Sequence, residues 1–185
     1  MKISQEFVVS RPPDVVWDFF QDVPAVAQCL PGAELVDQAD DGSYEGRLSV
    51  KLGPMTAAFE GKATVTPDEA NRSALIEGKG IDKKGGSRGQ VKVVYTITED
   101  EEGAKVSIDA DISLSGPAAQ FGRTGLINEM SRRLIGEFVS CLESKLEAET
   151  VEEAEAIRAS EVKGLSLFFA SLWAWIRRLF TGRDS

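Results

Sequence analysis

The stretch Val91–Glu147, VKVVYTITEDEEGAKVSIDADISLSGPAAQFGRTGLINEMSRRLIGEFVSCLESKLE, decides the fold because its hydrophobic period changes midway. Val91, Val93, Tyr95 and Ile97 sit two residues apart. After a turn at Glu99–Gly103, so do Val106, Ile108, Ala110, Ile112 and Leu114. A two-residue period is that of strands with one buried face. Past Ser115-Gly116-Pro117 the apolar residues Ile127, Met130, Leu134, Phe138, Cys141 and Leu142 recur at three and four, which predicts an amphipathic helix. Its expected length of roughly 25–30 residues corresponds to about 40 Å, enough to cross a sheet.

The same logic extends toward the N-terminus. Ile3, Phe7 and Val9 predict a first strand, with Gln5 on its apolar side. Pro12-Pro13 then opens a short apolar helix, since proline suits a first helical position. Asp22-Val23-Pro24 ends that helix and starts a second, Ala25–Leu30, which stops at Pro31-Gly32. A short strand at Ala33–Gln38 meets the hairpin turn Asp40-Asp41-Gly42. Tyr44, Gly46, Leu48, Val50 and Leu52 form one face of the next strand, and Met55, Ala57, Phe59, Ala63 and Val65 one face of its neighbour. Ser73–Glu77 is a further strand, and the glycine-rich stretch 78–89 reads as a flexible loop or hairpin end.

About seven one-faced strands joined by short turns imply an antiparallel sheet with one side covered. The fold class is therefore α+β. The element order is that of the helix-grip architecture of START and birch-pollen-allergen proteins, a bent sheet wrapped around a long C-terminal helix. Small residues on the apolar faces (Gly46, Ala57, Gly61, Ala63, Ala110) mean either strong curvature or room for a ligand. The expected division is a ligand-binding domain over 1–147, a charged, solvent-exposed linker over 148–163 and an amphipathic tail over 164–185.

Along that tail, Phe168, Phe169, Leu172, Trp173, Trp175, Ile176, Leu179 and Phe180 share one broad side of a helix. Sixteen residues of helix reach about 24 Å, short of the ~30 Å hydrocarbon core. Arg177 and Arg178 lie inside the run. The tail is thus expected to lie at a membrane surface, its tryptophans at the headgroup boundary and its arginines on anionic lipid. Packing on its own domain or on a second copy is the ordinary structural alternative.

The net charge of −9 makes nucleic acid a poor partner. Histidine is absent, which excludes a Ser/His/Asp triad, a Cys/His pair and most zinc sites, so no metal is expected. Two distant cysteines, Cys29 and Cys141, without a CxxC pattern are expected to be reduced thiols of a cytoplasmic protein. Lys83-Lys84 is read as a solvated loop, and Asp109 and Asp111 as solvated carboxylates. What remains is an apolar container. The residues that alternation points into it are Leu48, Val50, Phe59, Val93, Tyr95, Ile112, Phe121, Met130 and Leu134, with core packing the alternative for each. Arg47, Tyr44 and Tyr95 are the nearest polar candidates to orient a ligand.

Several segments taken in order resemble the CoxG family of carbon monoxide dehydrogenase proteins, within the SRPBCC superfamily. They are Phe7-Val8-Val9, Pro13-Asp14-Val15-Val16-Trp17, Cys29-Leu30-Pro31-Gly32-Ala33-Glu34, Gly42-Ser43-Tyr44-Glu45-Gly46, Val50-Lys51-Leu52-Gly53-Pro54, Phe59-Glu60-Gly61-Lys62 and Gly116-Pro117-Ala118-Ala119-Gln120-Phe121-Gly122-Arg123. The resemblance covers residues 1 to about 146. It implies a non-enzymatic accessory protein, cytoplasmic and peripheral on the inner face of the cell membrane. Its implied partner is a carbon monoxide dehydrogenase-like molybdenum hydroxylase, and its cargo a hydrophobic small molecule, a quinone such as menaquinone or ubiquinone. Two other readings stay open, a cyclase or hydrolase of the same fold and a membrane recruitment module without ligand.

Overall fold

Alternation and turn chemistry produce seven strands in one antiparallel sheet, and a computed structural model describes residues 1–52, 55–123, 126–148 and 151–159 of the chain. The order is β1 (Lys2–Val9), α1 (Pro13–Gln21), α2 (Val23–Cys29), β2 (Ala33–Gln38), β3 (Tyr44–Leu52), β4 (Met55–Asp68), a 3₁₀ turn (Glu69–Asn71) and β5 (Ser73–Asp82). Then follow β6 (Ser87–Asp100), β7 (Gly103–Ser115), a 3₁₀ segment (Gly116–Arg123), α3 (Leu126–Glu147) and α4 (Val151–Ala156). Across the sheet the strands lie β1-β7-β6-β5-β4-β3-β2, so the first two strands of the chain form its two edges.

Pro13 starts α1, and Asp22 serves both short helices. It ends the first, and its carboxylate accepts a hydrogen bond from the Ala25 N–H of the second at 3.0 Å, filling one of the donors a helix start leaves orphaned. The helix α3 has 22 residues, shorter than expected because its first turns are a separate 3₁₀ segment. It lies chiefly against β1, α2 and that segment.

The sheet is creased along a row of glycines. Gly46 of β3 pairs with Gly61 of β4, Gly61 with Gly80 of β5, and Gly80 with Gly89 of β6. A Cβ on Gly61 would lie 1.9 Å from the Lys79 carbonyl oxygen, and one on Gly46 2.7 Å from that of Glu34. The strands approach each other there more closely than any side chain permits. The small inward residues at these two positions therefore reflect curvature, while Gly80 and Gly89 lie beneath the Phe59 side chain.

The glycine-rich stretch 78–89 is not a loose loop. Its strands stay paired from Gly78–Val91 to Asp82–Ser87, leaving only Lys83–Gly86 as a turn. Asp82 is buried and closes that turn, its carboxylate accepting from the Lys84 and Gly85 N–H groups at 3.1 and 2.9 Å. Individual glycines mark a turn by local chemistry, but four in register across four strands are visible only once the pairing is known.

The convex face is a lattice of opposite charges. Arg47 bridges Glu34 and Glu60 at 3.5 and 3.0 Å, Lys62 meets Glu45, and Lys92 meets Glu77. Exposed pairs of this kind are worth at most about 1 kcal/mol each; they favour one strand register over another. Asp109 and Asp111 belong to this face, bonded to Ser4 and to the N-terminal ammonium.

Two expectations fail here. Cys29 and Cys141 are joined in a disulfide, with Cα atoms 5.4 Å apart. A separation of 112 residues hid the contact, which exists only because sheet closure brings the end of α2 onto α3. The pairing removes the argument from cysteine usage to a reducing compartment. The charged segment after α3 is also not wholly solvated. Ile157 packs on the core, the Ala159 N–H donates to the Gln28 carbonyl at 2.9 Å, and the buried Lys145 ammonium donates to the Gln28 side chain and the Ala154 carbonyl. The acid-rich composition concealed one apolar anchor, Ile157.

Gly61→Ala should lower the urea midpoint by the equivalent of about 1–3 kcal/mol, because the strand must shift to admit a methyl group. Gly136→Ala, in open space on α3, should raise it by about 0.5–1 kcal/mol. Alkylation of the unreduced, denatured protein should modify no cysteine, and replacing Cys29 and Cys141 by serine should cost about 3–5 kcal/mol.

Candidate functional site

The candidate site is the concave face of the sheet, and register fixes its composition. Successive rows read Leu35, Gly46, Gly61, Gly80, Gly89, Leu114; then Tyr44, Ala63, Gly78, Val91, Ile112; then Val65, Ile76, Val93, Ala110, Ile3. Below these lies the row of Ala74, Tyr95, Ile108 and Gln5.

This face is packed at its two ends by separate clusters. The first joins Val9, Ala74, Tyr95, Ile97, Ala104 and Val106 to Val16, Trp17 and Phe20 of α1, to Cys29, and to Phe138, Cys141 and Leu142 of α3. Its aromatic rings meet edge-on or tilted, Phe20 to Phe138 at 5.8 Å and Phe20 to Tyr95 at 4.8 Å. The second joins Leu52 and Ala57 to Ile3, Ala118 and Ile127, with Val50, Met55, Phe59, Ile112, Phe121 and Met130 packed around it.

Between the clusters lies an under-filled zone. Ala63, Val91 and Val93 on the sheet, and Leu134 on α3, are half-buried and belong to neither cluster. On α3, Leu134 stands between Met130 of the second cluster and Phe138 of the first, four residues from each. Apolar side chains near the middle of a domain that remain half-exposed border space the protein does not fill itself.

Among the residues expected to line a cavity, Val93 and Leu134 border this zone. Val50, Phe59, Ile112, Phe121 and Met130 form its wall at the second cluster. Two expected positions lie elsewhere. Leu48 is 41% exposed, because it sits near the β2 edge, opposite Ala33 and Phe59, away from α3. Tyr95 is buried in the first cluster against Trp17 and Phe20. Arg47 cannot orient a ligand on this face, since it is on the convex side between two glutamates. Tyr44 does share the concave face, half-buried or less beside Ala63. Sequence alternation identified the face; it carried no information on where along each strand the packing thins. The tail residues Phe168 to Phe180 lie outside the described residues.

Two polar groups carry shifted titration. Burial raises the Tyr95 pKa, with the Gln21 side chain pulling weakly the other way, yet the hydroxyl has no partner at hydrogen-bonding distance. Burial lowers the pKa of Lys145, and the nearby Arg158 adds to that. A second, polar groove of about 570 Å³ runs along α3 between Arg133, Glu137 and Ser140 on one side and Ile157–Ala159 on the other. It was not foreseen, because it depends on the return of residues 157–159. Among the described residues no helix is long and apolar enough to cross a membrane.

Residues 6–147 match the model of the CoxG family, described as the G-type subunit of carbon monoxide dehydrogenase. No curated protein sequence matches the chain significantly. Among solved structures, a conserved protein from Geobacillus kaustophilus aligns with TM-score 0.63 and 16% identity, over 75% of this chain and 89% of that one. A protein from Chromobacterium violaceum aligns with TM-score 0.51 and 18% identity, over 77% and 97%. The di-domain ARO/CYC BexL of the BE-7585A biosynthetic pathway aligns with TM-score 0.54 and 12% identity, over 80% of this chain and 48% of that one. At such identities the likeness is one of fold, the helix-grip architecture.

Tyr95→Phe should leave stability at pH 7 unchanged or raise it by up to about 1–2 kcal/mol, since the lost hydroxyl is buried without a partner. The raised pKa gives the sign at high pH. In the unfolded chain Tyr95 ionises near pH 10, while in the folded chain it stays neutral, so stability falls as pH rises past that point. The variant should lose less stability there, as followed by denaturant titration across that range.

Proposed function

Because the chain belongs to the CoxG family of carbon monoxide dehydrogenase proteins, we propose that it is an accessory protein that carries a hydrophobic, quinone-like molecule for a molybdenum hydroxylase of the carbon monoxide dehydrogenase kind. The observation that carries this reading is the under-filled apolar zone at Ala63, Val91, Val93 and Leu134. A ring-bearing lipid seated there completes the packing that neither cluster supplies. Burial of such a molecule is favoured by roughly 25 cal/mol per Å² of apolar surface. A long isoprenoid chain, of menaquinone or ubiquinone type, offers that surface along the length of the concave face. The tail from residue 164 onward then places the domain at the membrane from which such a lipid comes.

The shared fold of an ARO/CYC protein keeps a cyclase-type reading in view. Such chemistry needs an acid or base against the ligand. From Gly89 to Ile97, the inward positions of β6 and their partners on β5 and β7 carry no carboxylate, lysine or arginine. That favours carriage over catalysis.

Organic extraction of the native protein followed by mass spectrometry should yield a quinone in near-stoichiometric amount. Ala63→Phe, which fills the zone, should abolish its recovery while the far-ultraviolet circular dichroism stays unchanged. An extract empty of any hydrophobic molecule, from protein purified without detergent, would count against carriage.

A further inference from the structure

The turns at the two ends of the sheet differ in charge. β2–β3, β4–β5 and β6–β7 turn at one end, through Asp40-Asp41, Asp68-Glu69 and Glu99–Glu102. The β5–β6 hairpin turns at the other, and its residues 79–90 read KGIDKKGGSRGQ. Its only acid, Asp82, is 3% exposed and is directed inward at the turn N–H groups, so the surface of the hairpin is cationic in a chain of net charge −9.

These cations are exposed, and most are uncommitted. Lys83 pairs with Glu60, whose carboxyl is held below its ordinary pKa first by Lys83 and then by Arg47. Among the described residues no carboxylate lies within 4 Å of Lys79, Lys84 or Arg88. Amid them Ile81 is 47% exposed, with Glu60 and Arg88 opposite it. The hairpin is also rigid at its base. The fully buried Ser87 accepts the Ala118 N–H at 3.0 Å, and Gly116 approaches the Gly86 carbonyl too closely for any side chain.

We propose that this hairpin is a second membrane contact, which lays its convex side on anionic phospholipid headgroups and orients the domain. The cations follow the outer face and tip of the hairpin and form no pocket that fits a single phosphate or carboxylate. A charged layer meets such an array all at once, and the acidic turns at the far end are repelled from it. Ile81, an aliphatic side chain between cations, suits the headgroup boundary. The proposal rests on the domain working at a membrane, but not on the tail that motivates that reading.

The test uses the full-length chain and cosedimentation with phosphatidylcholine vesicles, with and without phosphatidylglycerol. Combined Lys79→Gln, Lys84→Gln and Arg88→Gln should weaken binding to the anionic vesicles about tenfold or more, on a scale of roughly fivefold per cation. Binding to the neutral vesicles should not change. Combined Lys62→Gln, Lys92→Gln and Lys105→Gln alters net charge equally and should have a much smaller effect. Equal losses in the two variants, or undiminished binding by the hairpin variant, overturn the proposal; the latter is also the result if the hairpin serves an acidic protein. A tail variant, Trp173→Ala with Trp175→Ala, separates the two readings. If it alone loses binding, the membrane reading stands and the hairpin contact fails. If the unmodified chain binds neither kind of vesicle, both fail.

Discussion

Everything in this structure depends on four strands being able to approach one another without side chains in the way. A flat antiparallel sheet of fourteen-residue strands cannot curl around a helix; its inward side chains collide before it closes. Gly46, Gly61, Gly80 and Gly89 remove that obstacle along one line, and the sheet bends there. The bend sets the rest. It turns the apolar face into a concave wall and brings the hairpin base under the 3₁₀ segment that leads into α3.

A bent wall and a straight helix do not match along their whole length. α1, α2 and the C-terminal half of α3 fill one end with aromatic rings. The 3₁₀ segment and the N-terminal half of α3 fill the other. Neither group of side chains reaches the middle. The under-filled zone thus follows from curvature, without any residue being dedicated to it.

Periodicity reads the fold well because burial writes it into every strand. The alternation of Val91, Val93, Tyr95 and Ile97 names the inward face correctly, and the change of period after Pro117 names the covering helix. Periodicity cannot rank positions along a face. Tyr95 and Val93 look alike in the sequence, yet one is enclosed by Trp17 and Phe20 and the other is half-open, because α1 covers only one end. Leu48 follows the same alternation and is exposed, because an edge-ward strand has no helix above it. Contacts between distant segments leave still less trace, as with Cys29 and Cys141, or Ile157 returning to the core. Family resemblance added what alternation could not, an ordered set of turns and helix starts that local patterns alone leave ambiguous.

The disulfide has a mechanical consequence. A load applied at residue 159 first shears the Ala159–Gln28 hydrogen bond and the Lys145 clamp. If these yield, α3 can unravel backward only as far as Cys141, where the pull passes through a covalent bond into α2. The stretch from Leu142 to Glu147 can run out as slack, whereas Phe138, Leu134 and Met130 stay in line behind the bond. A domain tethered by its C-terminus can therefore be tugged without its inner helix being drawn out of the sheet.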